Sequence, residues 1–351
     1  MSSNPDPSRE VVLVASYIEA EPIERMQAVS RDVEVIYRPE LLRPPRYPAD
    51  HTGAARERSR TEEAEWDGCL ARATILFDFD RTHLSDLPER APNVRWIQAT
   101  SAGIGQLVHE HEYAARMPHT VFTTARGVHA IPLAEFAGMA MLIHSRRLLH
   151  ALREQRRKHW ERYAGTDLEG RTAVVVGLGA VGTEVARVAQ ALGLRVVGVK
   201  RHPETAADEP PVDILIGPAE LPAHLPKADF LILIAPHTDE TEGMIGEKEL
   251  AALPAGAALI NIGRGALVDE PALVAALESR HLGGAYLDVF AEEPLPTDSR
   301  LWDMPNVLVS PHSGSTSDRE NGRIVDLFCE NLRRYLAGEA MLNVLDTQRL
   351  Y

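Results

Sequence analysis

The sequence predicts an α/β protein built from two doubly wound, mainly parallel sheets. Three observations predict it. Short apolar runs of strand length alternate with helical stretches along most of the chain, the pattern of a parallel sheet crossed by helices. A glycine-rich turn sits near the middle, directly after one apolar run and directly before a helical stretch. The length of 351 residues exceeds what one hydrophobic core ordinarily serves, so two domains are expected.

The elements follow in chain order. In the first part strands are expected at residues 11–15, 34–37, 74–77, 94–98 and 121–124, each a short apolar run bounded by polar or turn residues. Residues 39–51 are proline-rich and break regular structure, and 57–72 carry many charges and read as an exposed helix. The stretch 39–65 is longer and more charged than this fold needs, and no function follows from it. After Pro132 the texture changes. Residues 133–150 read as one long apolar helix, and 151–163, with Arg153, Arg156, Arg157, Lys158 and Arg162, as its charged continuation. A second set of strands is expected at Thr172–Val176, Arg195–Val199, 230–234, 258–262, Gly284–Leu287 and 307–310, and 315–336 read as a closing helix.

Composition narrows the class of function. Hydrophobic residues make up 44% and charged residues 25%, a globular balance. The net charge is −14, which argues against non-specific nucleic-acid binding but leaves room for a local basic pocket. The two cysteines, Cys69 and Cys329, form neither a metal-ligand spacing nor a disulfide framework, so no metal is expected and a reducing compartment is. The opening MSSNPDPSRE lacks the apolar core of a signal peptide, and no apolar run reaches the roughly 18 residues of a membrane helix; a cytoplasmic location is the expectation.

The glycine-rich turn is Gly177-Leu178-Gly179-Ala180-Val181-Gly182, between the apolar run 173–176 and the helical stretch 183–192. Gly177 suits the tight turn, Gly179 lets backbone approach a pyrophosphate, and Gly182 lets the helix pack close to the strand. The first helical N–H groups, at Ala180 and Val181 among others, and the positive end of the helix dipole would face the phosphates. This is the Rossmann arrangement for a dinucleotide. An NAD site usually has an acid at the end of the next strand, about 20 residues on, to hold the ribose hydroxyls. Here that strand ends in Lys200-Arg201, which favours the 2′-phosphate of NADP(H); two solvated surface cations with mixed cofactor use is the other reading.

Three further residues sit where strands are expected to end: Arg264, Glu293 and His312. A cation to hold a carboxylate, a general acid for a carbonyl oxygen and a carboxylate to set that acid's pKa are what hydride transfer at a 2-keto acid requires. Of the 14 histidines, His109, His111, His129, His144 and His237 lack such a context and are not expected to be the proton donor.

Residues 261–265 (NIGRG), 288–295 (DVFAEEPL) and 310–313 (SPHS) resemble, in sequence, order and spacing, the signatures of the D-isomer-specific 2-hydroxyacid dehydrogenase family. Residues 95–104 (RWIQATSAGI) resemble its substrate loop, 123–135 the start of its cofactor domain, and 235–238 (APHT) with Thr241 a loop on the nicotinamide side. The resemblance implies an NAD(P)-dependent D-2-hydroxyacid dehydrogenase, or 2-keto acid reductase, of glyoxylate/hydroxypyruvate reductase type. Arg264 would bind the substrate carboxylate, His312 would be the general acid/base, and Glu293 would raise its pKa. Backbone near Gly103 and Ile104 would add substrate contacts, and Pro236, Thr241 and Asp288 would lie on the cofactor side. Loops near residues 80, 103 and 126, with Trp302, would form the side-chain pocket.

The resemblance also implies a flavodoxin-like, discontinuous substrate domain from residues 1–128 and 315–351, a Rossmann cofactor domain from 129–314, a cleft between them, and a homodimer formed through the long helix. The acidic Glu293 speaks against the family's formate-oxidising branch, which carries an amide there. With no regulatory domain expected after the closing helix, a large allosteric phosphoglycerate dehydrogenase is the less expected kind. A dinucleotide-sensing, corepressor-like binding protein of the same fold is the alternative.

Overall fold

The computed structural model describes residues 9–205 and 210–349. Contacts divide the chain into two compact units, Met1–Val128 with Thr316–Tyr351, and His129–Ser315. The first holds strands β1 (Glu10–Val14), β2 (Val33–Ile36), β3 (Ile75–Phe77), β4 (Trp96–Gln98) and β5 (Val121–Thr123), all parallel, in the order β2-β1-β3-β4-β5. That is the flavodoxin-like winding. The second holds β6 (Thr172–Val176), β7 (Arg195–Val199), β8 (Ile214–Ile216), β9 (Phe230–Leu233), β10 (Ala258–Asn261), β11 (Gly284–Leu287) and β12 (Val307–Val309), again all parallel, in the order β12-β11-β10-β9-β6-β7-β8. Read from its first strand this is the Rossmann order with one strand added at the edge. The expected fold class is therefore observed.

The strands form where β-branched and aliphatic residues can be buried on both faces. In β6, Ala173 and Val175 join one core with Val185 and Ala189 of the helix Ala180–Ala191. Val174 and Val176 join the opposite core with Leu250, Leu273 and Leu277. The period-two alternation thus serves two helix layers. In the first unit the closing helix Glu320–Ala337 covers one sheet face. Its Phe328 meets Phe77 edge-on at 5.2 Å and stacks on Trp96 at 5.1 Å.

Several expectations are corrected. The apolar helix is not continuous to residue 163. It spans Ala130–Ser145, breaks at Arg147 in the left-handed region (φ 53°), resumes as Leu148–Arg156, and gives way to irregular chain. The break is held from outside the helix: Thr166 N–H donates to Ser145 O (2.8 Å), and the Arg147 guanidinium lies 5.4 Å from the Tyr163 ring. The charged helix begins at Arg60 because Ser59 and Glu62 form a reciprocal capping box there. The closing helix begins at Glu320, and β8 was not anticipated. Among the described residues no helix is long and apolar enough to cross a membrane.

Candidate active site

The site is assembled on three neighbouring strands. Across the ladder Asn261, Leu287 and Val309 lie side by side at the carboxyl ends of β10, β11 and β12. Arg264, Glu293 and His312 all follow within a few residues, so adjacent loops carry them. In an open parallel sheet this edge is where ligands gather.

Each side chain is held by its loop. Asn261, buried at the end of β10, accepts from Gly263 N–H (3.2 Å) and donates to Arg264 O (2.9 Å), fixing the turn that presents Arg264. The Arg264 guanidinium donates to Gly263 O (2.7 Å). Burial pushes its pKa down, and the charge of Glu293 opposes that shift. Glu293 accepts from Phe290 N–H (3.0 Å) through Oε1, and its Oε2 lies 2.7 Å from His312 Nδ1. The hydrogen bond to Glu293 holds the His312 pKa above its ordinary value, against the effect of burial. Burial works against the charge of Glu293, and the bond from His312 leads the effects that keep its pKa below the usual carboxylate range. With Nδ1 committed to Glu293, Nε2 is the nitrogen left for a substrate. The His312 side chain is 48% exposed, so it is reachable.

His312 itself has φ 52°, a region a non-glycine residue enters only when its surroundings hold it there. Asp288, 1% exposed, supplies the hold. Its backbone O accepts from His312 N–H (2.9 Å), and its Oδ1 accepts from Ser310 Oγ (2.5 Å), Ser313 N–H (2.9 Å) and Gly314 N–H (2.9 Å). The sequence placed Asp288 on the cofactor side; its observed neighbours are the histidine loop. Asn261, Phe290 and Ser310 were missed as positioning residues, because their bonds form only once the strands are adjacent.

The glycine turn fits a dinucleotide. Gly177 has φ 105°, and a Cβ there would lie 2.6 Å from Ala235 N. A Cβ on Gly182 would lie 2.0 Å from Gly177 O, so the helix packs directly on the turn. Nothing lies within 4 Å of a Cβ built on Gly179, which opens on free space. The helix Ala180–Ala191 starts there, and its first N–H groups, including those of Ala180 and Val181, lack intrahelical acceptors. Gly177 N–H donates to Val199 O (3.0 Å), which sets the end of β7, and so half-buried Lys200 and exposed Arg201, beside the turn. Arg201 also donates to Glu240 Oε2 (2.5 Å). Pro236 and Thr241 lie in the loop after β9 that flanks Gly177; the Thr241 hydroxyl is used within it, donating to Pro236 O (2.7 Å).

In the first unit, Gly103 is exposed in the loop after β4, whereas Ile104, directly before the helix Gly105–Glu110, buries its side chain in the core. His144, set aside as proton donor, is half-buried against Tyr286 with its Nε2 3.1 Å from Gly256 O, and desolvation pushes its pKa down. Among the described residues no group of three or more metal-ligating side chains occurs.

Comparison with known proteins extends this geometry. A family model described as D-isomer specific 2-hydroxyacid dehydrogenase, NAD binding domain, matches residues 138–314. A glyoxylate reductase of Thermococcus litoralis is 30% identical over 323 residues, covering 90% of this chain and 92% of that protein. A D-3-phosphoglycerate dehydrogenase of Methanocaldococcus jannaschii is 31% identical over 264 residues, 74% of this chain; the match spans about half (49%) of that longer protein. The crystal structure of a D-isomer specific 2-hydroxyacid dehydrogenase from Xanthobacter autotrophicus Py2, in complex with NADPH and MES, superposes with a TM-score of 0.76 at 28% identity, covering 98% of this chain and 100% of that one.

Proposed function

The chain belongs to the D-isomer-specific 2-hydroxyacid dehydrogenase family, and from that premise we propose that it reduces a small 2-keto acid to the D-2-hydroxy acid with hydride from NADP(H). The observation that carries the proposal is the 2.7 Å pairing of His312 with Glu293 on a strand-end loop whose neighbour carries the exposed cation Arg264. Arg264 holds the substrate carboxylate by charge-assisted hydrogen bonds. His312 Nε2 delivers a proton to the carbonyl oxygen as that oxygen gains charge, and Glu293 stabilises the protonated imidazole and fixes its orientation. Asp288 keeps the histidine loop in place. The bound nicotinamide supplies the hydride; the residues that would hold its dinucleotide are those of the Gly177–Gly182 turn.

Turnover with a panel of 2-keto acids, glyoxylate and hydroxypyruvate among them, is the direct test, followed as absorbance loss with NADPH and with NADH. We expect turnover with at least one. Tight NADPH binding without turnover of any would overturn the enzyme reading and leave a dinucleotide-sensing protein.

NADPH is favoured over NADH because Lys200 and Arg201 follow β7 where an acid would select the ribose hydroxyls. The Xanthobacter structure, solved with NADPH, supports this choice. Replacing both Lys200 and Arg201 with Gln should weaken NADPH roughly tenfold or more, the loss of about one charge-assisted bond, and NADH much less. An unchanged NADPH/NADH ratio would defeat the assignment.

A homodimer is proposed on the second unit's apolar face. Ile131, Met139, Leu142, Leu148 and Leu152 are exposed along the two helices 130–145 and 148–156, and Trp160 beyond them is 94% exposed. A second copy is the simplest cover for such a patch. Light scattering should give twice the chain mass of 38.7 kDa, and a monomer at micromolar concentration would contradict it.

A further inference from the structure

In the second unit the glycine turn leaves β6, which has a neighbour on each side, and side chains from the two neighbouring loops meet across it. Val176, at the end of β6, lies level with Val199 of β7 on one side and Leu233 of β9 on the other. Gly177 N–H donates to Val199 O (3.0 Å) and Ile234 N–H donates to Val176 O (2.8 Å), so the loops leaving all three strands start in register around the turn. Two strand spacings, roughly 10 Å, separate β7 from β9. Arg201, shortly after β7, and Glu240, in the loop after β9, span that gap: the guanidinium donates to Glu240 Oε2 (2.5 Å).

Both ends of this bridge are held by backbone. Lys200 N–H donates to Ile216 O (3.0 Å), which ties the chain just before Arg201 to β8. Glu240 occupies a central position of the turn Thr238–Thr241, closed by Thr241 N–H donating to Thr238 O (2.9 Å). The Thr241 hydroxyl locks that turn, accepting from Thr238 N–H (2.8 Å) and donating to Pro236 O (2.7 Å). Such a pair adds little to stability, because its side chains are 46% and 66% exposed and water screens them. Its consequence is competition at the guanidinium. A phosphate on the adenosine ribose, carrying a charge of about −2 and three acceptor oxygens, draws Arg201 more strongly than one carboxylate does. Ribose hydroxyls are uncharged and leave the pair in place.

We propose that Glu240 is a specificity-determining residue for the cofactor, one that holds Arg201 until a 2′-phosphate displaces it and so lowers the affinity for NADP(H) while leaving that for NAD(H) nearly untouched; this rests on the assignment of Arg201 to the 2′-phosphate made above and adds the group that opposes it. Only molecules whose Arg201 has left Glu240 engage the phosphate fully, so the apparent affinity falls with their fraction. For an exposed pair of ordinary strength, Glu240→Gln is expected to tighten NADPH about two- to fivefold. NADH should change much less, and adenosine 2′,5′-bisphosphate against AMP should reproduce the difference without the nicotinamide. In an Arg201→Gln background the same substitution should leave NADPH affinity unchanged. Calorimetric titration of the whole chain at one low ionic strength gives these dissociation constants, since salt screens exposed pairs. If Arg201→Gln weakens NADPH but Glu240→Gln does not tighten it, the competition is overturned and the phosphate assignment stands. If Arg201→Gln leaves the NADPH/NADH ratio unchanged, the assignment falls and the role of Glu240 falls with it. An equal gain for NADH, or a gain kept in the Arg201→Gln background, reduces Glu240 to a general charge effect and also overturns the proposal. Crystals of the unmodified chain with adenosine 2′,5′-bisphosphate give an independent reading: Arg201 turned from Glu240 to the phosphate supports the competition, and an intact pair overturns it.

Discussion

His312→Gln is expected to lower turnover by about 10²–10⁴-fold, the usual contribution of a positioned general acid, while NADPH affinity stays nearly unchanged. Gln can still donate a hydrogen bond to a carbonyl oxygen but cannot give up a proton to it. The glycine turn lies after β6 on a different loop, so cofactor binding has no reason to follow. Direct titration of NADPH alongside steady-state rates checks both halves, and equal losses in the two would count against an acid/base role. The pH profile adds a sign. The hydrogen bond to Glu293 raises the His312 pKa, so the protonated form needed for reduction is present below that raised value and lost as pH rises through it. In Glu293→Gln the same fall in kcat/KM should occur at lower pH. A profile that does not move would mean that another group donates the proton.

The fold was legible wherever local sequence and tertiary demand agree. Thr172–Val176 and the turn after it are such a place: β-branched residues fill both faces of a buried strand, and Gly177, Gly179 and Gly182 answer separate steric needs that the coordinates show one by one. The strand Ile214–Ile216 was not legible. It has only three residues, follows Pro210 and Pro211, and is defined by pairing with β7 rather than by its own periodicity. The break at Arg147 was hidden for a similar reason. Its left-handed turn is stabilised by Tyr163 and Thr166, which the local pattern of the helix cannot announce. Arg264, Glu293 and His312 stood out through family-like motifs, and the ladder then places their strands side by side. Asp288 was visible as an acid, but its bonds reach 22 to 26 residues forward, to Ser310 and Gly314, so its work as the clamp of the histidine loop needed coordinates.

Gly265→Ala is expected to reduce kcat/KM by about 10²-fold or more, although residue 265 performs no chemistry. A Cβ at this position would lie 1.8 Å from the carbonyl carbon of Phe290 and 1.9 Å from its oxygen, where ordinary contacts are 3.4–4 Å. Both neighbours are backbone, so no side-chain rotation relieves the clash, and the two loops must separate by more than an ångström. One of those loops presents Arg264; the other carries Phe290, whose N–H holds Glu293, the partner of His312. Separating them moves Arg264, proposed to bind the carboxylate, away from the Glu293–His312 pair proposed to handle the proton. A misplacement of about 1 Å can by itself cost about 10²-fold in rate. The melting temperature should fall as well, because the contact lies next to the core residues Leu267 and Phe290. NADPH affinity should be the quantity least affected, as the Gly177–Gly182 turn shares no residue with either loop. Rates, melting curves and NADPH titration of the single variant together test the arrangement. Full activity with an unchanged melting temperature would show that Arg264 and Glu293 are not held in register through this backbone contact.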